Sequence, residues 1–116
     1  MLQSPTFDYI KDQVVITNPE GIIIYANAVV EELTGYKLSE VIGQKPSLWG
    51  GQMPKIFYTT MWKKIGEEKK SIRVLVTNKK KDGTLYDALL HISPILDTEG
   101  KVQMYVGIET LLSKTD

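Results

Sequence analysis

The sequence predicts an α+β domain: a five-stranded antiparallel sheet with short helices packed on one face. Three observations carry that prediction. Runs rich in β-branched and aromatic residues occupy 13–26 and 71–111, and Gly-containing turns separate them. Between them, the apolar spacing lengthens from every second residue to every third or fourth. The order is therefore two strands, several short helices and a three-stranded meander, with the helices collected in one connection.

Each element has its own signal. Phe7 and Ile10 fall three apart in 5–12, which reads as a short N-terminal helix. "QVVIT", 13–17, is a β-branched strand, reversed by the turn "NPEG", 18–21, into the strand "IIIYA", 22–26. In "NAVVEELTGY", Val29, Val30 and Leu33 take helical spacing; Asn27 is placed to cap the start and Gly35 to end the helix. "KLSEVIG", 37–43, is a single helical turn closed by glycine. Pro54 suits a first helical turn in "PKIFYTTMWKKIGEE", where Ile56 or Phe57, Met61 and Ile65 recur on one face. "SIRVLVTNK", 71–79, is a strand, and the Asp82-Gly83 turn supplies the positive φ that its reversal into 84–95 needs. A second glycine turn, 96–101, leads to the last strand, 102–111.

The 116 residues make one domain, here divided into the N-terminal helix 1–12, a core unit 13–111 and a tail or linker start at 112–116. A chain this size removes roughly two-thirds of its unfolded surface from water, enough for one core. Fourteen basic and fourteen acidic residues leave no field to draw it to nucleic acid or an anionic membrane. Without cysteine there are no disulfides, thiolate chemistry or cysteine-held metals, which fits a reducing cytoplasm. The N-terminus lacks a signal-peptide pattern, and no apolar run approaches the ~20 residues that span a bilayer.

One stretch resists a simple label. "VIGQKPSLWGGQMP", 41–54, holds three glycines and two prolines, as a linker would, and also Trp49. Lying within the helical connection of a single domain, it must cross the sheet face at the edge of the core. Trp49 there is a lid or packing residue.

Catalytic chemistry finds little support. His91 is the only histidine, too isolated for a metal centre, and Ser93 beside it lacks an oxyanion-hole motif. The lysines 79–81 belong to a turn, where solvated charge is ordinary. Glu31–Glu32 and Glu67–Glu68 are neighbours on helices and diverge. "GQKPSLWGG" lacks the ending of a phosphate loop. Glu109 is ambiguous: alternation puts Tyr105, Gly107 and Glu109 on one face and Val106 and Ile108 on the other, and periodicity does not say which is inward.

Taken together, "NPEG", "YANAVVEELTGY", "VIGQKPSLW", "MWKKI" and "NKKKDGTLYDALLHISPILDTEGKVQMYVGI" resemble the PAS sensory domain across residues 13–109. The resemblance implies helices clasping one sheet face, with any small ligand between the two. It also implies a regulatory module, not an enzyme, that relays to an output domain such as a histidine kinase or a cyclic-dinucleotide enzyme of a bacterial two-component type. The last strands look like the light-oxygen-voltage branch, through Asn78 to Gly83 and "LLHISP-x2-D-x2-G", 89–100. By position Asn78 matches a flavin-contacting asparagine, Ala88 replaces the second, Glu109 replaces the glutamine, and Pro46 stands where the reactive cysteine belongs. Cysteinyl-FMN photochemistry is therefore excluded, and two of three amide contacts are lost. The "GQKPSLW" loop, Trp62 and Asn78 also resemble redox-sensing PAS domains that bind FAD without a cysteine. The helix that supplies a haem ligand in related domains has no histidine here, which speaks against haem.

The resemblance places Val74, Val76, Asn78, Ala88, Leu90, Ile92, Tyr105, Gly107 and Glu109 toward the helices. It implies an apolar pocket with few polar anchors, lined by Trp49, Trp62, Asn78, Ala88, Leu90, Ile92, Tyr105 and Glu109, with Asn27 or Tyr86 also near. Ala88 and Gly107 would leave room at its floor. Leu75, Leu89, His91, Val106 and Ile108 would then face outward, too apolar to stay bare, so a homodimer through that face and the N-terminal helix is expected. The readings left in play are a ligand-sensing or dimerisation module, an FAD-carrying redox sensor and a purely structural dimer module.

Overall fold

β1 (Gln13–Thr17) holds its inward side chains, Gln13, Val15 and Thr17, out of water, while Val14 and Ile16 stay half-buried on the other face. The computed structural model describes residues 11–112. Asn18 makes the first reversal tight: its side-chain oxygen accepts the N–H groups of Glu20 and Ile22, and Gly21 supplies φ 85°. β2 (Ile23–Ala26) comes next and pairs antiparallel with β1. β3 (Ile72–Lys79), β4 (Leu85–Leu96) and β5 (Val102–Leu111) form the meander. The sheet is five-stranded and antiparallel, in the order β2-β1-β5-β4-β3, so the first and last strands of the chain lie side by side.

Two short helices cover the β1–β2 side. α1 (Val29–Thr34) ends at Gly35, whose left-handed φ of 79° lets its N–H reach back to the Glu31 carbonyl. Its start differs from the expectation. Ala28 occupies the cap position without a side-chain bond, because Asn27 is engaged elsewhere: its oxygen accepts the Val14 N–H at 3.0 Å and its amide donates to the Asp12 carbonyl at 2.9 Å. α2 (Leu38–Val41) is a single turn, as its length in sequence required.

The 41–54 stretch is a wall rather than a linker. The Ile23 N–H donates to the Gln44 carbonyl and the Gly43 N–H to the Ile23 carbonyl, which fixes its start to one edge strand. A short 3-10 turn, Pro46–Leu48, then brings in Trp49, whose carbonyl accepts the Lys79 N–H at 2.8 Å on the opposite edge strand. The Tyr58 hydroxyl accepts the N–H groups of Gly51 and Met53, tying the far end to α3 (Lys55–Trp62). α3 passes directly into a π-helical turn over Lys63–Glu67. Met61 and Ile65 are buried, Phe57 half so, and Ile56 is 70% exposed, so Phe57 rather than Ile56 belongs to the inward stripe.

Among the described residues the core is divided into three clusters. Val15, Ile23, Ala26, Val30, Val41 and Trp49 pack beneath α1 and α2. Ile65, Ile92 and Tyr105 pack beneath the π turn, and Val76, Tyr86 and Ala88 beneath Phe57 of α3. The helix expected over 5–12 lies outside the described residues, apart from Lys11 and Asp12, which are not helical. No helix among the described residues is long and apolar enough to cross a membrane.

Candidate functional site

Between the three clusters lies a cavity of about 430 Å³. Val15 and Trp49 of the first cluster, Ile92 and Tyr105 of the second and Val76 of the third all face it. Gly107 on β5 forms part of its floor, opposite Val15 on β1 and Ile92 on β4. Its lack of a side chain leaves the space open: a Cβ there would meet Leu90 Cδ1 at 3.6 Å and the Val15 carbonyl at 3.9 Å, ordinary contacts. Trp62 stands at the outer end, 38% exposed, edge-on to the Tyr105 ring with centroids 5.2 Å apart.

The face of β5 left open by periodicity is resolved by its register. Gln13 of β1 and Leu90 of β4 flank Glu109, which points toward the helices and is 7% exposed. Three neutral donors converge on its carboxylate. The Asn78 amide donates to Oε1 at 2.6 Å, and the Gln13 amide and the Trp49 indole donate to Oε2 at 2.9 and 3.3 Å. Burial pushes the Glu109 carboxyl above the usual glutamate range, against the opposing pull of these bonds from Asn78, Trp49 and Gln13. Beside it, burial and then the Glu109 charge push the Tyr86 phenol up. The Tyr86 hydroxyl and the Gln13 side-chain amide oxygen are buried with no hydrogen-bond partner among the described residues.

Seven of the sequence-predicted site residues line this cavity: Trp49, Trp62, Asn78, Leu90, Ile92, Tyr105 and Glu109. Two do not. Ala88 is fully buried in the cluster under Phe57, so it gives no room to the cavity. Asn27 is spent on the backbone of β1, as described above. Sequence reasoning passed over Gln13, whose alternation with Val15 and Thr17 was a readable sign of inward orientation. It also passed over Tyr58 of α3, which lines the cavity with no distinguishing mark in sequence, while Met61, read there only as part of the apolar stripe, lines it too.

The donor set fits the edge of an isoalloxazine ring only in part. An ionised Glu109 presents acceptors only, where ring carbonyls need donors. One of the two Asn78 amide N–H groups is held by Glu109, and Ala88 lies outside the cavity.

The PAS fold family model matches residues 1–108, and the chain belongs to the PAS family. It is 30% identical, over 84% of its length, to the nitrogen fixation regulatory protein of Klebsiella oxytoca, of which it covers 20%. It is 35% identical, again over 84%, to the bacterioopsin transcriptional activator of Halobacterium salinarum, of which it covers 14%. The chain thus spans a fifth or less of these curated relatives. A solved light-oxygen-voltage domain studied with a flavin analogue superposes with a TM-score of 0.79 at 29% identity, over 94% of this chain and 83% of that one. PAS domains are sensory modules of signalling proteins; they commonly dimerise and connect to output domains.

Proposed function

We propose that residues 13–111 act as a cytoplasmic ligand-sensing module, holding a small, mainly apolar molecule between the sheet and α3. Occupancy would be passed along β5 to an output domain in a longer protein. The observation that carries this reading is the cavity itself: about 430 Å³ of space, apolar over most of its lining, with one cluster of polar groups at Glu109. Close packing is the norm for protein interiors, and an unfilled space of this size lowers stability unless a guest restores the contacts. β5 leads from the site toward the C-terminal side of the domain, since Glu109 lies two residues before the strand ends. Mass spectrometry of small molecules released by denaturing the purified protein tests the reading. A stoichiometric compound that raises the melting temperature when added back supports it; at a hundredfold excess over Kd the stabilisation is about 2.7 kcal/mol. A protein that releases nothing and is stabilised by no small molecule is the structural module instead.

The solved light-oxygen-voltage neighbour favours a second occupant, a flavin, despite the partial fit of the polar groups. A yellow colour in fresh protein would decide for it.

Dimerisation is the other part of the proposal. Val14, Ile16, Leu89, Val106 and Ile108 lie half-buried on the sheet face away from the helices, and Leu75 is 63% exposed there. The registers put these side chains side by side: Val14 opposite Ile108, Ile16 opposite Val106, Leu75 opposite Leu89. A second copy covering this face removes them from water. Leu75→Lys is then expected to shift the protein toward monomer in analytical ultracentrifugation, and an unchanged mass would exclude this surface.

A further inference from the structure

Among the described residues, the cavity under α3 holds a buried carboxyl group, Glu109, and no buried cation. Gln13, Asn78 and Trp49 all donate to Glu109, and none carries charge. The two salt bridges among the described residues, Lys70–Glu68 and Lys81–Glu40, do not involve it. Glu20 and Lys45 also line the cavity, but both are exposed to solvent. Neutral donors offset part of the lost hydration of a carboxylate, whereas an opposite charge at contact offsets far more. A carboxylate accepts at about four positions, so three donors leave room for one more. The rest of the lining suits an organic cation, since Trp49, Tyr58, Trp62 and Tyr105 share the cavity with Glu109, and aromatic faces attract cations.

We propose that the cavity selects an organic ammonium, a primary or secondary amine on an aromatic or branched apolar body, with its N–H groups donating to Glu109. This rests on reading the cavity as a ligand site and adds the charge class of the ligand. An anionic ligand would oppose ionisation of Glu109, and a neutral one would give the ionised form no opposite charge. The ammonium supplies the missing partner while its body fills the space beside Trp62 and Tyr105.

Binding and protonation are then linked. Burial holds the free protein's Glu109 protonated to a higher pH than an exposed glutamate, and an adjacent ammonium opposes this. A proton leaves as the amine binds, and affinity rises with pH through the range in which Glu109 ionises. The groups facing Glu109 from neighbouring elements are Gln13 of β1, Asn78 of β3, Tyr86 of β4 and Trp49 of the loop. Of these only Tyr86 titrates, and its phenol is pushed up, away from this range.

The test is calorimetric titration of the 116-residue protein with benzylamine, phenethylamine and tryptamine, each beside the alcohol of the same skeleton. At least one amine is expected to bind about tenfold or more tighter than its alcohol at neutral pH, as a hydrogen-bonded charge pair requires. Glu109→Gln should bring that amine down to the level of its alcohol. The wild-type protein supplies the same test without a variant: the amine-to-alcohol ratio grows as pH rises through the range, above that of an exposed glutamate, in which Glu109 ionises. Equal binding of amines and alcohols overturns the charge assignment and leaves the ligand site standing. An amine preference that survives in Glu109→Gln also overturns it, by placing the charge elsewhere. Binding of neither class overturns it too, and the mass spectrometry described above then judges the ligand site separately.

Discussion

The two halves of the inner sheet face are packed differently. Beneath α1 and α2, Val15, Ile23, Ala26, Val30, Val41 and Trp49 form one continuous cluster, with Val30 and Val41 fully buried. Beneath α3 and the π turn the core divides into two smaller clusters with the cavity between. The same sheet supports both. The difference lies above it: α1 lays its buried stripe straight onto β1, while under α3 the missing side chain of Gly107 leaves space on β5, bounded by the aromatic pair Trp62–Tyr105. The close-packed half and the open half meet at Val15 and Trp49, which belong to the first cluster and also line the cavity.

The largest expected effect breaks the packed half. Ile23→Ala, at a side chain 1% exposed, should cost about 2–5 kcal/mol in urea unfolding while leaving the affinity of any α3-side ligand unchanged within error. A ligand affinity that falls in step with stability would mean that the halves are not independent.

Next comes the pH dependence of Glu109. Its folded-state pKa is raised by burial, so the folded protein holds this proton to higher pH than the unfolded chain does. The stability the group contributes is therefore fully present below the ordinary carboxylate pKa, about 4.3, and is lost as pH rises through the folded-state value. Between those two points wild type should lose up to about 1.4 kcal/mol per pH unit relative to Glu109→Gln. Parallel stability curves for the two proteins would show that the carboxyl titrates normally and is not desolvated.

How far the sequence foretold these halves depends on the range of the forces involved. β1 and β5 are found over the residues expected, 13–17 and 102–111, because β-branched runs and glycine turns are local signals. The inward face of β5 was not local. Val106 and Ile108 are as apolar as Tyr105 and Gly107, and only pairing with β1 and β4 determines that Glu109 points in. Asn27 and Ala88 were misplaced for a similar reason. One is claimed by a backbone N–H thirteen positions away, the other by Phe57 descending from α3. The 41–54 stretch was legible as part of the domain, yet its ties to Ile23 and Lys79 on opposite sheet edges were not.

Smaller changes sharpen the comparison. Gly107→Ala adds a methyl group that meets only ordinary contacts, so it should stabilise the ligand-free protein by about 0.4–1 kcal/mol. Gly107→Val should go further and weaken ligand binding several-fold with the fold intact by circular dichroism. Gly107 rather than Ala88 is the position to fill, because Ala88 lies under Phe57 and outside the cavity. Smallest of all, Ile56→Ser on the exposed side of α3 should change stability by no more than about 0.5 kcal/mol, although its spacing resembles that of a core residue.

Two tryptophans give this protein two side-chain indole N–H resonances, and one of them, from Trp49, reports directly on Glu109. Following both during titration with a ligand that raises the melting temperature tests the central claim, that the guest lies under α3 against this carboxylate. The account predicts that the Trp49 indole signal moves with saturation, together with the Gly107 amide, while the amides of Ile23 and Val30 stay in place. Saturation that leaves the Trp49 signal unmoved, with the shifts falling on Leu75 and Leu89 of the outer face, would contradict it.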